Sequence, residues 1–294
     1  MSGAWPALAA ARAHDRATRV PFTIGGHAVG SVAREHLAAL AAWPRALALG
    51  PGGVALTVPA AERDATLAAV NAELRRQGLV RGWRDEIFAL VDPATAQPLA
   101  RTERASARFW GTLTFGAHAT GYVTGPDGRP SHLWIARRSH GKATDPGLHD
   151  NLVGGGVPLG QTPHQALVRE GWEEAGLTPT QMQVVRAGRV IRLWRDIPEG
   201  LQFEELHSFD LELPPGLQPC NQDGEVERFD CLPLTQALAL AAGSTMTVDA
   251  ALVTLDFALR HGLLPAPQAA TLGPRLQALL HGIGPIPALK SKLL

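Results

Sequence analysis

The hydrophobic positions in the first third of the chain predict a small α+β unit. Short apolar runs flanked by Gly and Pro, as at 22–26 and 54–59, are typical of strands and turns. Apolar residues then recur at helical spacing over 67–74, and Gly78 stands where such a helix would end. This region therefore predicts a few strands followed by one amphipathic helix.

A change of composition predicts where this unit ends. The segment 92–98 is rich in Pro, Thr, Gln and Asp, as loops are, and we expect a domain boundary between it and about Arg108. The predicted division is an N-terminal α+β domain over residues 1–105, a second domain over 106–264 and a helical tail over 265–294.

The second domain shows strand and helix patterns in alternation. Apolar strand patterns at 110–123 and 133–136 flank a Gly-Pro-Asp-Gly turn and predict a hairpin. Further strands are predicted at 184–193 and 206–213. Helical apolar spacing marks a last helix and the tail, through Leu252, Leu255 and Leu259 before Gly262, and through Leu272, Leu276 and Leu279. The tail could pack on the first domain or on a partner chain, as in a homodimer.

Composition and charge narrow the classes of protein. With 294 residues, 45% apolar and 18% charged, the chain is expected to be globular rather than disordered or fibrous. Equal numbers of basic and acidic residues, 27 of each, argue against a nucleic acid or an acidic membrane as partner. Two cysteines are too few for a disulfide framework. The sequence begins without the basic region of an export signal, so we expect a cytoplasmic protein.

The segment 154–177 carries the strongest chemical signal. It is interpreted as a glycine loop that feeds a helix, with Thr162 as N-cap, Gln165 completing a capping box and Gly176 ending the helix. Within that helix Glu170, Glu173 and Glu174 fall on one turn.

Three carboxylates on one turn repel one another by about 0.2 to 0.5 kcal/mol per pair. Arg169 can pair with one of them but cannot satisfy all three. One interpretation is an acidic face in solvent; the other is a bound cation, and ligation by oxygen alone favours Mg²⁺ or Mn²⁺ over zinc.

Gly155, Arg169-Glu170, Glu173-Glu174 and Gly176-Leu177 stand at intervals that closely resemble the conserved box of Nudix hydrolases. The resemblance implies a Nudix α/β/α sandwich with a mixed sheet, here preceded by a small α+β domain. It also implies that Glu170, Glu173 and Glu174 are metal ligands steadied by Arg169. Two positions depart from the box: Gln161 replaces a glutamate and Gly171 a bulkier aliphatic residue.

The stretches 133–139, 145–147, 150–156 and 222–227 resemble one branch of this family. That branch has an extra N-terminal domain and is fused, in fungi, ahead of thiamine pyrophosphokinase. The resemblance implies a Mg²⁺-dependent diphosphatase that converts thiamine diphosphate, or its oxidised analogues, to the monophosphate. A nucleoside diphosphate derivative such as ADP-ribose or NADH is the alternative substrate. A module that senses a diphosphate without cleaving it is the alternative function.

Further site residues follow from this hypothesis. Glu225 is the first choice as general base or extra metal ligand, ahead of Glu227, Glu204 and Glu205, although any of them could be an exposed carboxylate. Substrate phosphates need local cations, and we expect one of Arg137 and Arg138 to act with Lys142. Three glycines, Gly154, Gly155 and Gly156, are expected to let the backbone come close to a ligand. His149 and Asp150 are expected to orient the loop. Trp83 and Trp110, which flank the domain boundary, are candidates for the aromatic wall of a pocket.

Overall fold

The computed structural model describes residues 5–280, and these form two α+β domains. Part of the predicted tail, residues 281–294, lies outside the described residues. No helix within residues 5–280 has both the length and the apolar character that a bilayer crossing requires.

The first domain is built on a four-stranded sheet in the order β2-β1-β4-β3. Strands β1 and β4 are parallel, and the other two pairs are antiparallel. The predicted helix, α3, packs Leu67, Val70 and Leu74 into this domain's core. The elements of this part of the chain are α1 (Pro6–Ala10), β1 (Arg19–Ile24), β2 (His27–Ala33), α2 (Leu37–Leu40), β3 (Leu47–Gly50), β4 (Gly53–Leu56), α3 (Arg63–Arg76), β5 (Ile87–Val91), β6 (Pro98–Glu103) and α4 (Arg104–Trp110).

The segment 92–98, which we predicted to precede the domain boundary, connects an antiparallel hairpin of β5 and β6. The last element before the second domain is α4, whose C-cap residue Gly111 adopts a left-handed conformation at φ 55°. An ordinary side chain is strained there, so glycine ends the helix and redirects the chain. Helix α4 thus lies at the junction between the two domains.

The second domain contains a seven-stranded mixed sheet. Its main order is β11-β12-β7-β8-β13, with β12 and β7 parallel; β10 pairs with β7 and β9 with β8. The predicted hairpin is confirmed as β7–β8. The two further predicted strands are present as β11 and β12, which pair antiparallel. The elements are β7 (Leu113–Thr124), β8 (Pro130–Arg138), β9 (His149–Asp150), β10 (Val153–Gly156), α5 (Pro163–Ala175), β11 (Arg186–Ile197), β12 (Gly200–Glu212), β13 (Val226–Pro233), α6 (Leu234–Ala241), α7 (Val248–Arg260) and α8 (Ala266–Gln277).

Helices cover both faces of this sheet. Helix α5 packs on one face through Ala166 and Leu167, and α7 on the other through Leu252 and Leu255. The predicted α+β fold, with an α/β/α sandwich and a mixed sheet, is therefore confirmed. In the tail, α8 buries Leu272 against the same core as α7, so this part of the chain packs on the second domain.

The first described residues also belong to this second core. Trp5 and Leu8 are buried with the side chains of α7. The carbonyls of Ala11 and Ala13 accept hydrogen bonds from Trp194 and Asp196 of β11, at 2.8 and 2.9 Å. This pairing covers the backbone of a sheet edge, and no sequence pattern had indicated it.

Candidate active site at the domain junction

A cleft of about 500 Å³ lies where the two domains meet. Residues of α4 and of the loop before β5 form its wall on the first domain. The wall on the second domain comes from β10, α5 and the loop after β8. The charged side chains that line the cleft are Arg84, Arg104, Arg108, Arg138, Lys142, Asp145, Asp150, Glu170, Arg195, Glu199, Glu204, Glu225 and Asp249.

Helix α5 begins and ends as predicted. Thr162 Oγ1 accepts a hydrogen bond from the Gln165 N–H at 3.2 Å, and the Gln165 side chain accepts one from the Thr162 N–H at 2.9 Å. Gly176 ends the helix at φ 65°. This capping box is confirmed, and it fixes the residue at which the helix begins.

Two of the three glutamates on this helix are buried, and one of them, Glu170, lines the cleft. Glu170 and Glu174 are 7% and 5% exposed and lie one turn apart. Burial raises the pKa of Glu170 to about 6, against the opposing effect of Arg169 and Arg104. It raises the pKa of Glu174 to about 7, although Lys142 lowers it, and the charge of Glu170 adds to the rise.

Glu173 takes a different direction. Its carboxylate accepts a hydrogen bond from Arg169 at 2.6 Å, and neither residue lines the cleft. The second guanidinium nitrogen of Arg169 bonds Glu170 at 2.8 Å. The structure therefore buries Glu170 and Glu174 next to each other, whereas the Glu173 side chain is 38% exposed and pairs with Arg169.

The predicted glycine loop is a strand. Residues Val153–Gly156 form β10 and pair antiparallel with β7. A Cβ atom on Gly155 would lie 2.2 Å from Oε1 of Glu170, so only glycine lets α5 approach the strand this closely. The Gly154 N–H donates to Glu174 Oε2 at 2.9 Å and helps to hold that carboxylate.

The departures from the Nudix box have different consequences. A Cβ atom on Gly171 would lie 2.9 Å from the sulfur of Met182, so Met182 fills the space of the usual aliphatic side chain. Gln161 does not line the cleft, and its side-chain oxygen is buried without a hydrogen-bond partner in the described part of the chain.

Lys142 and Glu225 meet inside the cleft. The Lys142 ammonium lies 3.3 Å from Glu174 and 2.5 Å from Glu225. Glu225 also forms a short ion pair with Arg84 of the first domain. Burial alone would raise the pKa of Glu225, but hydrogen bonds from Lys142 and Arg84 lower it to about 2. Such a carboxylate is a weak base at neutral pH, which weighs against a role as general base. A role as extra metal ligand stays a prediction.

Of the two neighbouring arginines, the structure places Arg138 in the cleft and Arg137 outside it. Arg138 donates to Asp150 at 2.7 Å and to the Thr144 carbonyl at 2.8 Å. It therefore shapes the loop after β8 as well as adding positive charge. Asp150 takes the orienting role expected of it, and the ring of neighbouring His149 lies 3.1 Å from the Thr245 carbonyl.

Of the other three acidic candidates, one lines the cleft and two lie outside it. Glu204 is buried in the cleft wall and accepts hydrogen bonds from Gln202 at 2.8 Å and Arg108 at 3.2 Å. Glu205 faces the opposite side of β12 and pairs with Arg192. Glu227 lies outside the cleft, 3.8 Å from His140.

The tryptophans at the boundary have unequal positions. Trp110 is fully buried in the core of the first domain, where Nε1 donates to Asn71 at 2.8 Å. The expectation that it borders a ligand pocket is therefore wrong. Trp83 lines a groove of about 340 Å³ that shares Arg84, Lys142 and Glu225 with the cleft.

Sequence reasoning missed most of the wall that the first domain supplies. Arg84, Arg104 and Arg108 precede the motif by several tens of residues, and no local pattern ties them to it. The one available signal was the i, i+4 spacing of Arg104 and Arg108, which places both on one face of a helix. From the second domain, His118, Arg195, Gln202 and Asp249 were also missed.

Family models match the chain in two parts. Residues 114–248 match the model described as NUDIX domain, and residues 6–114 match a domain of unknown function, DUF4743. The match thus divides the chain within the first strand of the second domain, β7.

Two curated relatives come from one plant. Nudix hydrolase 24, chloroplastic, of Arabidopsis thaliana is 36% identical over 205 residues, which are 69% of this chain and 55% of that protein. Nudix hydrolase 20, chloroplastic, of the same plant is 36% identical over 206 residues, 69% of this chain and 54% of that protein. The chain spans about half the length of these relatives.

Among solved structures, the chain resembles DR0079 from Deinococcus radiodurans, with a TM-score of 0.46 and 22% identity over 58% of this chain and 99% of that one. The capped helix that carries the glutamates and the glycine strand beside it both lie within the residues that match the NUDIX model. Residues 114–248 of this chain thus match a Nudix domain, and the residues before them match a DUF4743 domain.

Proposed function

We propose that this chain hydrolyses the diphosphate linkage of a small molecule with the help of a divalent cation, Mg²⁺ or Mn²⁺. The observation that carries the proposal is the pair of buried carboxylates on α5. Glu170 lines the cleft together with Lys142 and several arginines, and Glu174 lies next to it against Lys142. Its Nudix domain and its Nudix hydrolase relatives support this activity.

The donor chemistry at this helix fits a hard cation. Within residues 5–280 no three His, Cys, Asp or Glu side chains are arranged to hold a metal ion. Mg²⁺, however, is commonly held by one or two carboxylates, with substrate phosphates and water completing its shell. Glu170 and Glu174 would supply those two. Both have pKa values raised by burial, so their charges are incompletely balanced by the protein alone.

When bound, the cation would neutralise phosphate charge and lower the pKa of a coordinated water. The chain's own groups would do the rest. Arg169 holds Glu170, and Lys142 with the Gly154 N–H holds Glu174. Lys142 and Arg138 add positive charge at the cleft wall for phosphate oxygens. The glycines of β10 admit a ligand close to the backbone.

For the substrate we propose thiamine diphosphate or its oxidised analogues, cleaved to the monophosphate. The groove beside Trp83 offers a place for a planar ring next to the phosphates. The Arg75 guanidinium already lies 4.7 Å from the centroid of the Trp83 ring, so a ligand ring would pack beside this pair or displace Arg75. Asp223 and Glu225 border the same groove, where Arg84 and Lys142 balance their charge. ADP-ribose and NADH are the competing substrates.

A substrate panel tests both levels of the proposal. Purified protein with Mg²⁺ or Mn²⁺ is given thiamine diphosphate, its oxidised analogues, ADP-ribose, NADH and oxidised nucleotides, and phosphate or monophosphate products are measured. We expect metal-dependent turnover that is highest with a thiamine compound. Turnover confined to ADP-ribose or NADH would overturn the substrate, and no turnover of any diphosphate would overturn the function.

Replacement of a proposed ligand checks the site itself. Glu174→Gln should reduce metal-dependent turnover at least ~100-fold, about 2.7 kcal/mol in transition-state stabilisation. Glu62→Gln makes the same change at an exposed position of the first domain and should leave turnover unchanged. Equal activities of the two variants would exclude Glu174 from the site.

We also propose a reducing compartment such as the cytoplasm. Both cysteines, Cys220 and Cys231, are exposed free thiols, which supports such a setting.

A further inference from the structure

Helix α4 presents two different faces. Ser106, Phe109 and Trp110 are buried, the two aromatic residues in the core of the first domain. Arg104 and Arg108, one turn apart, both line the cleft. The same short helix therefore anchors in the DUF4743 domain and places two guanidinium groups in the active-site cleft of the Nudix domain.

Arg104 lies directly against the glycine strand. A Cβ atom on Gly156 would stand 3.3 Å from Cζ and 3.4 Å from Nη2 of Arg104. Nη1 donates to Glu86 at 2.7 Å, and the negative charges of Glu170 and Glu204 also act on this group. The guanidinium therefore lies close to Glu170 of the proposed metal site. In the described part of the chain, no hydrogen bond joins the two side chains.

Arg108 retains hydrogen-bonding capacity. Nη2 donates to Glu204 at 3.2 Å, a carboxylate that Gln202 also contacts. Nη1 is buried and has no hydrogen-bond partner among the described residues. A buried N–H group without a partner is unfavourable, and a ligand oxygen in the cleft would satisfy it.

The position of α4 is fixed by a second contact between its start and the loop before β5. Glu103 is buried; one carboxylate oxygen accepts from the Ala105 N–H at 2.7 Å and the other from the Arg84 N–H at 2.8 Å. One side chain therefore caps α4 and also holds the backbone of Arg84, the third arginine that the first domain contributes to the cleft. Such a wall is organised before any ligand arrives.

We propose that Arg104 and Arg108 form an anion clamp that binds phosphate oxygens of the substrate's diphosphate, so that the DUF4743 domain completes the active site. The inference rests on the proposed diphosphatase function. Guanidinium groups suit this task because their planar forks donate two parallel hydrogen bonds to phosphate. The carboxylates of α5 carry the metal, and the arginines of α4 bind charge that the metal leaves uncovered.

Binding of a diphosphate that cannot be hydrolysed tests the clamp without requiring catalysis. Methylenediphosphonate is titrated by calorimetry into the full chain, with and without Mg²⁺. We expect Arg104→Gln and Arg108→Gln each to weaken binding about 10- to 100-fold. Arg45→Gln, the same change at an exposed site of the first domain, should bind as the wild type does. Wild-type affinity in both clamp variants, with intact folding by circular dichroism, would overturn the proposal.

Two further variants separate the clamp from structural effects. Glu86→Gln removes the partner of Arg104 but keeps the guanidinium, and should retain binding; loss equal to that of Arg104→Gln would overturn a direct role. Arg108→Lys keeps the charge and lacks the fork, so we expect an intermediate affinity.

Turnover measured alongside distinguishes the two proposals. A wild-type chain that binds methylenediphosphonate through the clamp but cleaves no diphosphate would defeat the function and leave the clamp. A chain that cleaves diphosphates with an unchanged KM in both arginine variants would defeat the clamp alone.

Discussion

Glu170, Glu173 and Glu174 occupy one helical turn, yet their carboxylates meet different surroundings. Glu170 and Glu174 are buried beside the glycine strand, whereas Glu173 pairs with Arg169 at the surface of the helix. The spacing of the residues gave all three the same face. The carboxylates differ in their hydrogen-bond donors. Lys142 and the Gly154 N–H donate to Glu174, and Arg169 donates to Glu173.

At the same scale, His207 gives a pH prediction. Burial lowers the pKa of its imidazole, Glu205 opposes the shift, and Nε2 has no hydrogen-bond partner in the described residues. Below about pH 6.5 the unfolded chain takes up a proton that the folded chain resists, so stability is lost as pH falls. His207→Gln should therefore lose less free energy of unfolding than the wild type between about pH 7.5 and 5.5 in urea titrations.

His140→Gln, at an exposed ring, serves as the control and should follow the wild type. A wild type and a His207→Gln variant with the same pH dependence would show that this histidine does not couple stability to pH.

At the scale of elements, α5 and α4 show how local rules position chemistry. The capping box of α5 involves only residues close in sequence, and for that reason it was predictable. Helix α4 is too short to be stable alone. It forms because Phe109 and Trp110 pack in the first domain and Glu103 caps it, and the opposite face is thereby directed into the cleft.

The cap of α5 is open to a direct test. Thr162→Ala removes a side-chain acceptor at the N-cap and should lower the free energy of unfolding by about 1 kcal/mol. Thr180→Ala changes an N-cap residue that makes no such bond and should have little effect. Thermal and urea unfolding compare the two variants, and equal stabilities would mean that the observed cap does not stabilise the helix.

At the scale of the molecule, segments distant in sequence complete the core of the second domain. The first described residues pack on α7 and pair with β11, while α8 covers the same core from the other end of the described chain. The cleft likewise needs both domains, because Arg84, Arg104 and Arg108 come from one and Glu170 of α5 from the other.

The contribution of the first residues can be measured. Leu8 is 7% exposed and belongs to the core around α7, so Leu8→Ala should cost about 2 to 4 kcal/mol of stability. Leu49→Ala, at a site 37% exposed in the first domain, should cost far less. Chemical denaturation followed by tryptophan fluorescence would reveal the difference; a Leu8→Ala variant as stable as Leu49→Ala would show that this segment is not part of the folding core.

Much of the fold was predictable for a physical reason that applies to each element separately. Periodicity identified α3, α7 and α8, since the apolar face of a helix or strand is visible in its own sequence. The run of glycines at 154–156 predicts a loop, since glycine disfavours strands. They form β10 because pairing with β7 and the approach of Glu170 leave no room for a side chain.

The amino-acid sequence was enough to predict the two α+β units, the capped helix and a carboxylate motif beside glycines. Each of these features depends on interactions between residues only a few positions apart. Contacts in the folded chain place Glu170 in the cleft and hold Glu225 between Arg84 and Lys142. They also bring the arginines of α4 to the site. Burial, ion pairing and proximity across domains depend on contacts between residues far apart in the chain, and no local pattern encodes them.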